Sequence, residues 1–222
     1  MDINKMNIKY SYIGDSIKFI MENEQRIKNL LLDYECHTKN DRHPSGIDVK
    51  TLTFSKKNVK ICFSPLRIDF DYGFTSILDE DVNSYEEALN FFKLFGEIFP
   101  DYRAERLAIY LTGFIDNENN KAVDYLSNIF NTNDIFGDCH DFHLRVNNVK
   151  NYTEKLNSAL VLERGFITNN QTKESKDVVI CKIDVNTLAN NRNLRFSPYN
   201  FMNDFNDLYE EYSDKKQIVT NL

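Results

Sequence analysis

Two periods run through this chain: the two-residue alternation of half-buried strands and the three-to-four-residue spacing of amphipathic helices. "MNIKYSYIGDSIKFIM" alternates on both sides of Gly14-Asp15, which predicts a β-hairpin over 6–13 and 16–21. Asn23 then stands as the cap of a helix over 24–35, where Ile27, Leu30, Leu31 and Tyr34 share one face. "HTKNDRHPSG" is polar, carries Pro44 and Gly46, and reads as a loop. Strand-like runs follow at 49–55, 58–64 and 66–74, the first two joined through "SKKN". In the third, Leu66, Ile68, Phe70 and Tyr72 alternate with Arg67, Asp69 and Asp71, the pattern of a half-buried strand. A helix over 84–98 begins at Ser84, has acids in its first turn, and builds a stripe from Leu89, Phe92, Phe95 and Phe99.

The second half repeats the theme. "RAERLAIYLTGFI" (103–115) reads as a long strand and "KAVDYLSNIF" (121–130) as a short helix. Strands near 140–147, 157–168 and 177–186 come next. The last helix, 198–213, opens on Ser197-Pro198 and turns Phe201, Phe205, Leu208 and Tyr212 inward. The elements predict an α+β fold with largely antiparallel sheet packed by helices. "RIDFD" (67–71) and "KIDVN" (182–186) have the same form, and each precedes a Phe-rich helix. That suggests two β-β-β-α halves related by duplication, 1–116 and 117–222. No Gly/Ser-rich or Pro-rich linker separates them, so residues 1–222 read as one compact domain or two tightly packed halves.

Composition narrows the function classes. A chain of 222 residues is long enough to bury a substantial core, and with no Trp that core draws on 17 Phe and 12 Tyr. The net charge of −7 argues against non-specific nucleic-acid binding, which needs clustered Lys and Arg. No apolar run approaches the roughly 20 residues of a membrane span. The N-terminus lacks a basic-then-apolar leader pattern, and the four Cys show no C-x-x-C spacing. A reduced, cytoplasmic protein is the expectation.

The candidate chemistry lies in two Cys-His clusters. Cys36-His37 and Cys139-His140 supply two pairs of zinc-ligand types, so these four residues are the candidate metal ligands. Against this, neighbours on a strand point to opposite faces, which separates Cys139 from His140. In "DCHDFHLR", Asp141, His143 and Arg145 instead form a polar row opposite Phe142, Leu144 and Val146, which should face the core. The row is a candidate binding surface. Other candidate contact surfaces are "DED" at 79–81 and the acidic face of the last helix, Asp204, Asp207, Glu210 and Glu211. No phosphate loop, dinucleotide fingerprint or nucleophile elbow is present, so no cofactor is implied.

"VVICKIDVNTLANNRNLRFSPYNFMNDFNDLYEEY" resembles the closing segment of a sporadically distributed group of uncharacterised bacterial proteins of similar length. There a strand ending in I-D-V or I-D-N-T is followed by a polar loop, "RF" and a helix. The matching positions are Ile183, Asp184, Val185, Asn186, Thr187, Arg195 and Phe196. "RAERLAIYLTGFI" and "DFHLRVNN…LNSALVLERGFI" are similar to that group's inner strands. The resemblance implies a bacterial or phage source and an α+β fold. It carries no reaction. The expectation is a non-enzymatic binding protein with a protein partner, of the kind found in defence, counter-defence or toxin neutralisation. The alternative is a metal-dependent hydrolase or nuclease using His140, His143 and Asp141.

Overall fold

A computed structural model describes residues 6–42, 46, 48–74, 82–115, 122–130, 141–168, 171–189, 193–197 and 201–221. Its strands are β1 (Met6–Ile13), β2 (Glu35–Arg42), β3 (Asp48–Lys56), β4 (Val59–Ser64), β5 (Arg67–Phe74), β6 (Arg106–Ile115), β7 (His143–Asn151), β8 (Lys155–Thr168) and β9 (Ser175–Thr187). The helices are α1 (Ile17–Leu30), α2 (Val82–Ile98), α3 (Ala122–Ile129) and α4 (Phe201–Thr220). All nine strands join one antiparallel sheet in the order β2-β3-β4-β5-β1-β6-β9-β8-β7. The α+β expectation holds.

The order is mirrored about the β1–β6 ladder. With β6 grouped with the strands that follow it, and not with residues 1–116, each group places its first strand at the midline and its last strand, β5 or β9, directly outside it. This is a symmetry of arrangement and not by itself of descent. Each group also opens with a strand and a helix that the β-β-β-α form omits, and the first then has four strands, β2 to β5, where that form has three.

The described helices pack on one face of the sheet. Alternate residues of the central strands supply its core: Ile8, Tyr10 and Tyr12 from β1, Leu107, Ile109 and Leu111 from β6, and Cys181, Ile183 and Val185 from β9. Tyr12 is the hub. Its ring meets Phe92 of α2 at 4.7 Å and Phe201 and Phe205 of α4 at 5.7 Å each, so one midline residue joins a helix from each half. Tyr85 of α2 stacks on Tyr209 of α4 at 3.9 Å and donates its hydroxyl to Asn206 Oδ1 at 2.6 Å. Where rings interlock this tightly, a smaller side chain leaves a void.

Several local expectations change. Residues 16–21 do not return as a hairpin strand, because helix α1 begins there. Asp15 Oδ1 accepts the Ile17 amide at 3.0 Å, and Ser16 O accepts that of Ile20. Gly14-Asp15 therefore opens a helix rather than closing a hairpin, and Asn23 sits inside that helix, not at its start. The helical stripe also begins earlier than the sequence suggested, since Ile20 and Ile27 are both fully buried.

The expected loop "HTKNDRHPSG" contributes His37–Arg42 to strand β2. Every β2 side chain is exposed, so its backbone ladder with β3 holds it without the alternating burial that marks a strand in sequence. Val146, expected to face the core, is 40% exposed, because among the described residues β7 is an edge strand with no neighbour beyond it. Phe142 and Leu144 do pack against the core. Pro198, expected at the first position of the last helix, lies outside the described residues.

Candidate functional site

The face of the sheet opposite the helices holds the other set of alternate residues, and they are mostly charged or hydroxylic. Register arranges them in rows across β5, β1, β6 and β9. The first row runs Arg67, Ile13, Arg106. The second is Asp69, Ser11, Ala108, Asn186. The third is Asp71, Lys9, Tyr110, Asp184. An open groove of about 850 Å³ lies over this midline, lined by Lys9, Arg67, Arg106, Tyr110, Asp184 and Asn186 among others.

The groove is polarised. Asp69 is 3% exposed and Asp71 7%, an unusual depth for carboxylates. Asp69 is well served: Ser11 Oγ donates to its Oδ1 at 2.6 Å, Arg67 Nε lies 2.9 Å from Oδ2, and Lys9 Nζ lies 3.8 Å away. Asp71 is not. Its Oδ1 faces Lys9 Nζ at 3.5 Å without a hydrogen bond. Burial therefore raises the Asp71 pKa, and Lys9 only partly opposes the shift. On the other side of the midline, Asn186 Nδ2 donates to Asp184 Oδ1 at 2.8 Å, and Asn186 Oδ1 accepts from Arg106 Nη2 at 2.8 Å. Arg106 Nε also bonds the Thr187 carbonyl at 3.3 Å.

A second cluster continues this face toward β7. Glu163 bridges Lys182 and His143, its Oε2 lying 3.0 Å from His143 Nδ1. The Lys182 hydrogen bond, with a smaller contribution from His143, holds the Glu163 carboxyl below its ordinary range. Arg145 stands opposite Val161 on the same face. The row expected from "DFHLR" is thus real for His143 and Arg145, both exposed. Asp141 precedes the strand, and its Oδ1 caps the Phe142 amide at 2.8 Å.

The candidate metal ligands do not assemble among the described residues. Cys36 and His37 are exposed on edge strand β2, where His37 Nε2 lies 3.3 Å from Glu35. Cys139, His140 and "DED" at 79–81 lie outside the described residues. Among the described residues, no group of three or more His, Cys, Asp or Glu side chains is placed to hold a metal ion.

The acidic face of α4 divides. Glu210 is exposed, and Asp207 Oδ2 accepts the Thr153 amide at 3.0 Å. Glu211 is no surface residue. It is 1% exposed, accepts from Ser158 Oγ at 2.6 Å, and lies 3.7 Å from Lys215. It falls on the same inward stripe as Leu208 and Tyr212, and β8 offers it a hydroxyl. Asp204 is half-buried near Glu154 and Asp207, and burial first, then those charges, push its carboxyl up to about 6.

Local reading passed over Lys9, Ser11 and Tyr110, and took Arg106 only as a member of a cross-strand charge pair. The available signal was polar residues interleaved with Ile8, Tyr10 and Tyr12 in β1. No family model matches this chain, and no curated protein matches it. No described helix is long and apolar enough to cross a membrane.

Proposed function

We propose that this chain is a non-catalytic binding protein that engages a protein partner through the open face of its sheet. The observation that carries the reading is the one-sided packing: the described helices cover one face, and the other presents an ordered lattice of charged side chains around a groove. The charges are committed to one another in pairs, across strands in Lys9–Asp71 and Lys182–Glu163 and along β5 in Arg67–Asp69. Such pairs hold a recognition surface in one geometry, and charge complementarity on a partner then supplies specificity. A role in defence, counter-defence or toxin neutralisation rests on the resemblance of the C-terminal third alone.

The test is affinity capture from the lysate of the organism that encodes the chain, with three baits of equal thermal stability. The wild type should return one dominant protein. Lys182→Glu on the open face should lose it, and Lys93→Glu on α2 should retain it. Capture unaffected by Lys182→Glu, or equally sensitive to both changes, would sink the reading.

A further inference from the structure

We propose that the midline groove is a site for a phosphate-type dianion, gripped between Arg67 and Arg106. The proposal rests on the reading of the open face as the binding face and names the chemistry at its centre.

Both arginines line the same groove. They stand in one row, with Ile13 between them on β1, so roughly 10 Å separates their backbones across two strand spacings. Ile13 brings no counter-charge into that row. Each guanidinium is held along one edge by a buried acceptor in the next row. Arg67 Nε meets Asp69, and Arg106 Nη2 meets Asn186, which is 6% exposed. Arg106 Nε is also taken by the Thr187 carbonyl. Among the described residues, both Nη groups of Arg67 and the Nη1 of Arg106 make no hydrogen bond within the chain. An arginine fixed at one edge and open at the other is pre-organised to donate in fork geometry to an oxyanion.

The charge distribution selects the sign. Lys9, Arg67 and Arg106 are matched in number by Asp69, Asp71 and Asp184, so the site is locally balanced even though the whole chain carries −7. Depth breaks the balance. Asp69 and Asp71 are buried beneath, while the Arg67 side chain is 47% exposed at the rim. An entering ligand meets guanidinium first. Ile13 floors the gap between the arginines, and in the next row Ser11 and Ala108, 3% and 7% exposed, are small enough to let an anion approach the sheet beside them. The groove volume, about 850 Å³, falls in the size range of organic-ligand sites, roughly 300–1,000 Å³. It exceeds what a bare phosphate fills, so a phosphate ester, its organic part against Tyr110, is the favoured source over free phosphate.

Isothermal titration at low ionic strength tests this with inorganic phosphate, phenyl phosphate and acetate as probes. The wild type should bind both phosphates saturably, and acetate much more weakly. Arg106→Gln should weaken phosphate binding about tenfold, since a charge-assisted pair is lost. Arg106→Lys should recover only part of it, and Lys93→Gln none of the loss should touch. Tighter binding of phenyl phosphate points to an ester, and equal or weaker binding points to free phosphate; both support the site. Arg67→Gln repeats the test if it folds, and the Arg106 variants carry it if it does not. A folded wild type without saturable phosphate binding overturns the proposal. So does an Arg106→Gln protein that binds as tightly as wild type, or acetate binding equal to phosphate. Because no partner enters this experiment, its failure leaves the capture test of the wider reading standing, and the reverse also holds.

Discussion

The two faces of this sheet are made from the same strands and follow different rules. On the helix-covered face, Tyr12, Phe92, Phe201 and Phe205 interlock ring against ring, and stability comes from apolar area removed from water. On the open face, alternate residues of those strands also reach burial, at Asp69, Asp71 and Ser11, yet carry charge or hydroxyl. There stability depends on each group finding its partner. The difference shows that burial alone does not mark a core. On one face it reports packing, and on the other it reports a network that must be complete to be tolerated.

This contrast can be broken experimentally. Phe92→Ala should cost most, about 4 kcal/mol, because it opens a cavity where α2 and α4 meet over Tyr12. Urea denaturation would show it as a lowered midpoint, and a loss below about 1 kcal/mol would mean the helices repack freely. Asp69→Asn should follow at about 3 kcal/mol, since it leaves Arg67 and Lys9 beside a neutral amide. Asp71→Asn should stay within about 1 kcal/mol of wild type, because this carboxyl already resists ionisation. Equal costs for the two aspartates would refute the claim that partnering, not depth, separates them.

Asp204→Asn should stabilise, by about 1 kcal/mol above pH 7 once solvent screening is allowed for. The sign follows from proton binding. A carboxyl near 6 in the folded chain and about 4 unfolded holds its proton more tightly when folded, so stability falls as pH rises between those values. The benefit of Asn should therefore vanish below about pH 4, and thermal melts across that range would show a persistent gain if the argument is wrong. Glu163→Gln should have the smallest effect, a few tenths of a kcal/mol, as suits a bridge near the surface. Its sign is opposite. A carboxyl held low contributes at neutral pH and loses that contribution as pH falls through the carboxylate range. A destabilisation that persists below that range would point to packing rather than charge.

Much of the fold was legible in local pattern. The stripes of α2 and α4 point inward as Phe92, Phe95, Phe205 and Leu208 foretold, and β3 to β6 fall within a few residues of their alternating runs. "RIDFD" and "KIDVN" occupy matching places, each on the strand next to a midline strand. What failed did so for physical causes. Strand β2 is wet on both sides and leaves no alternation to read. Ile17, Phe19 and Ile20 suit a strand or a helix over so short a span, and in the fold they open helix α1, with Asp15 Oδ1 accepting the Ile17 amide in the turn before it. Glu211 looked like surface because an acid on a helix usually is, and only the hydroxyl of Ser158, far along the chain, makes its burial tolerable.

The chain's own sequence determined which side of each element would be apolar, because that depends on a period of two or of nearly four along neighbouring residues. It also determined that no basic cluster would dominate. Only the tertiary structure decided that Lys9, Arg67, Arg106 and Asp184 would share one groove. They come from four strands whose order in the sheet, β5-β1-β6-β9, differs from their order in the chain by the exchange of β1 and β5. Ladder pairing joins strands distant in the chain, its register is fixed by burying one face, and side chains on the open face are carried into contact by it.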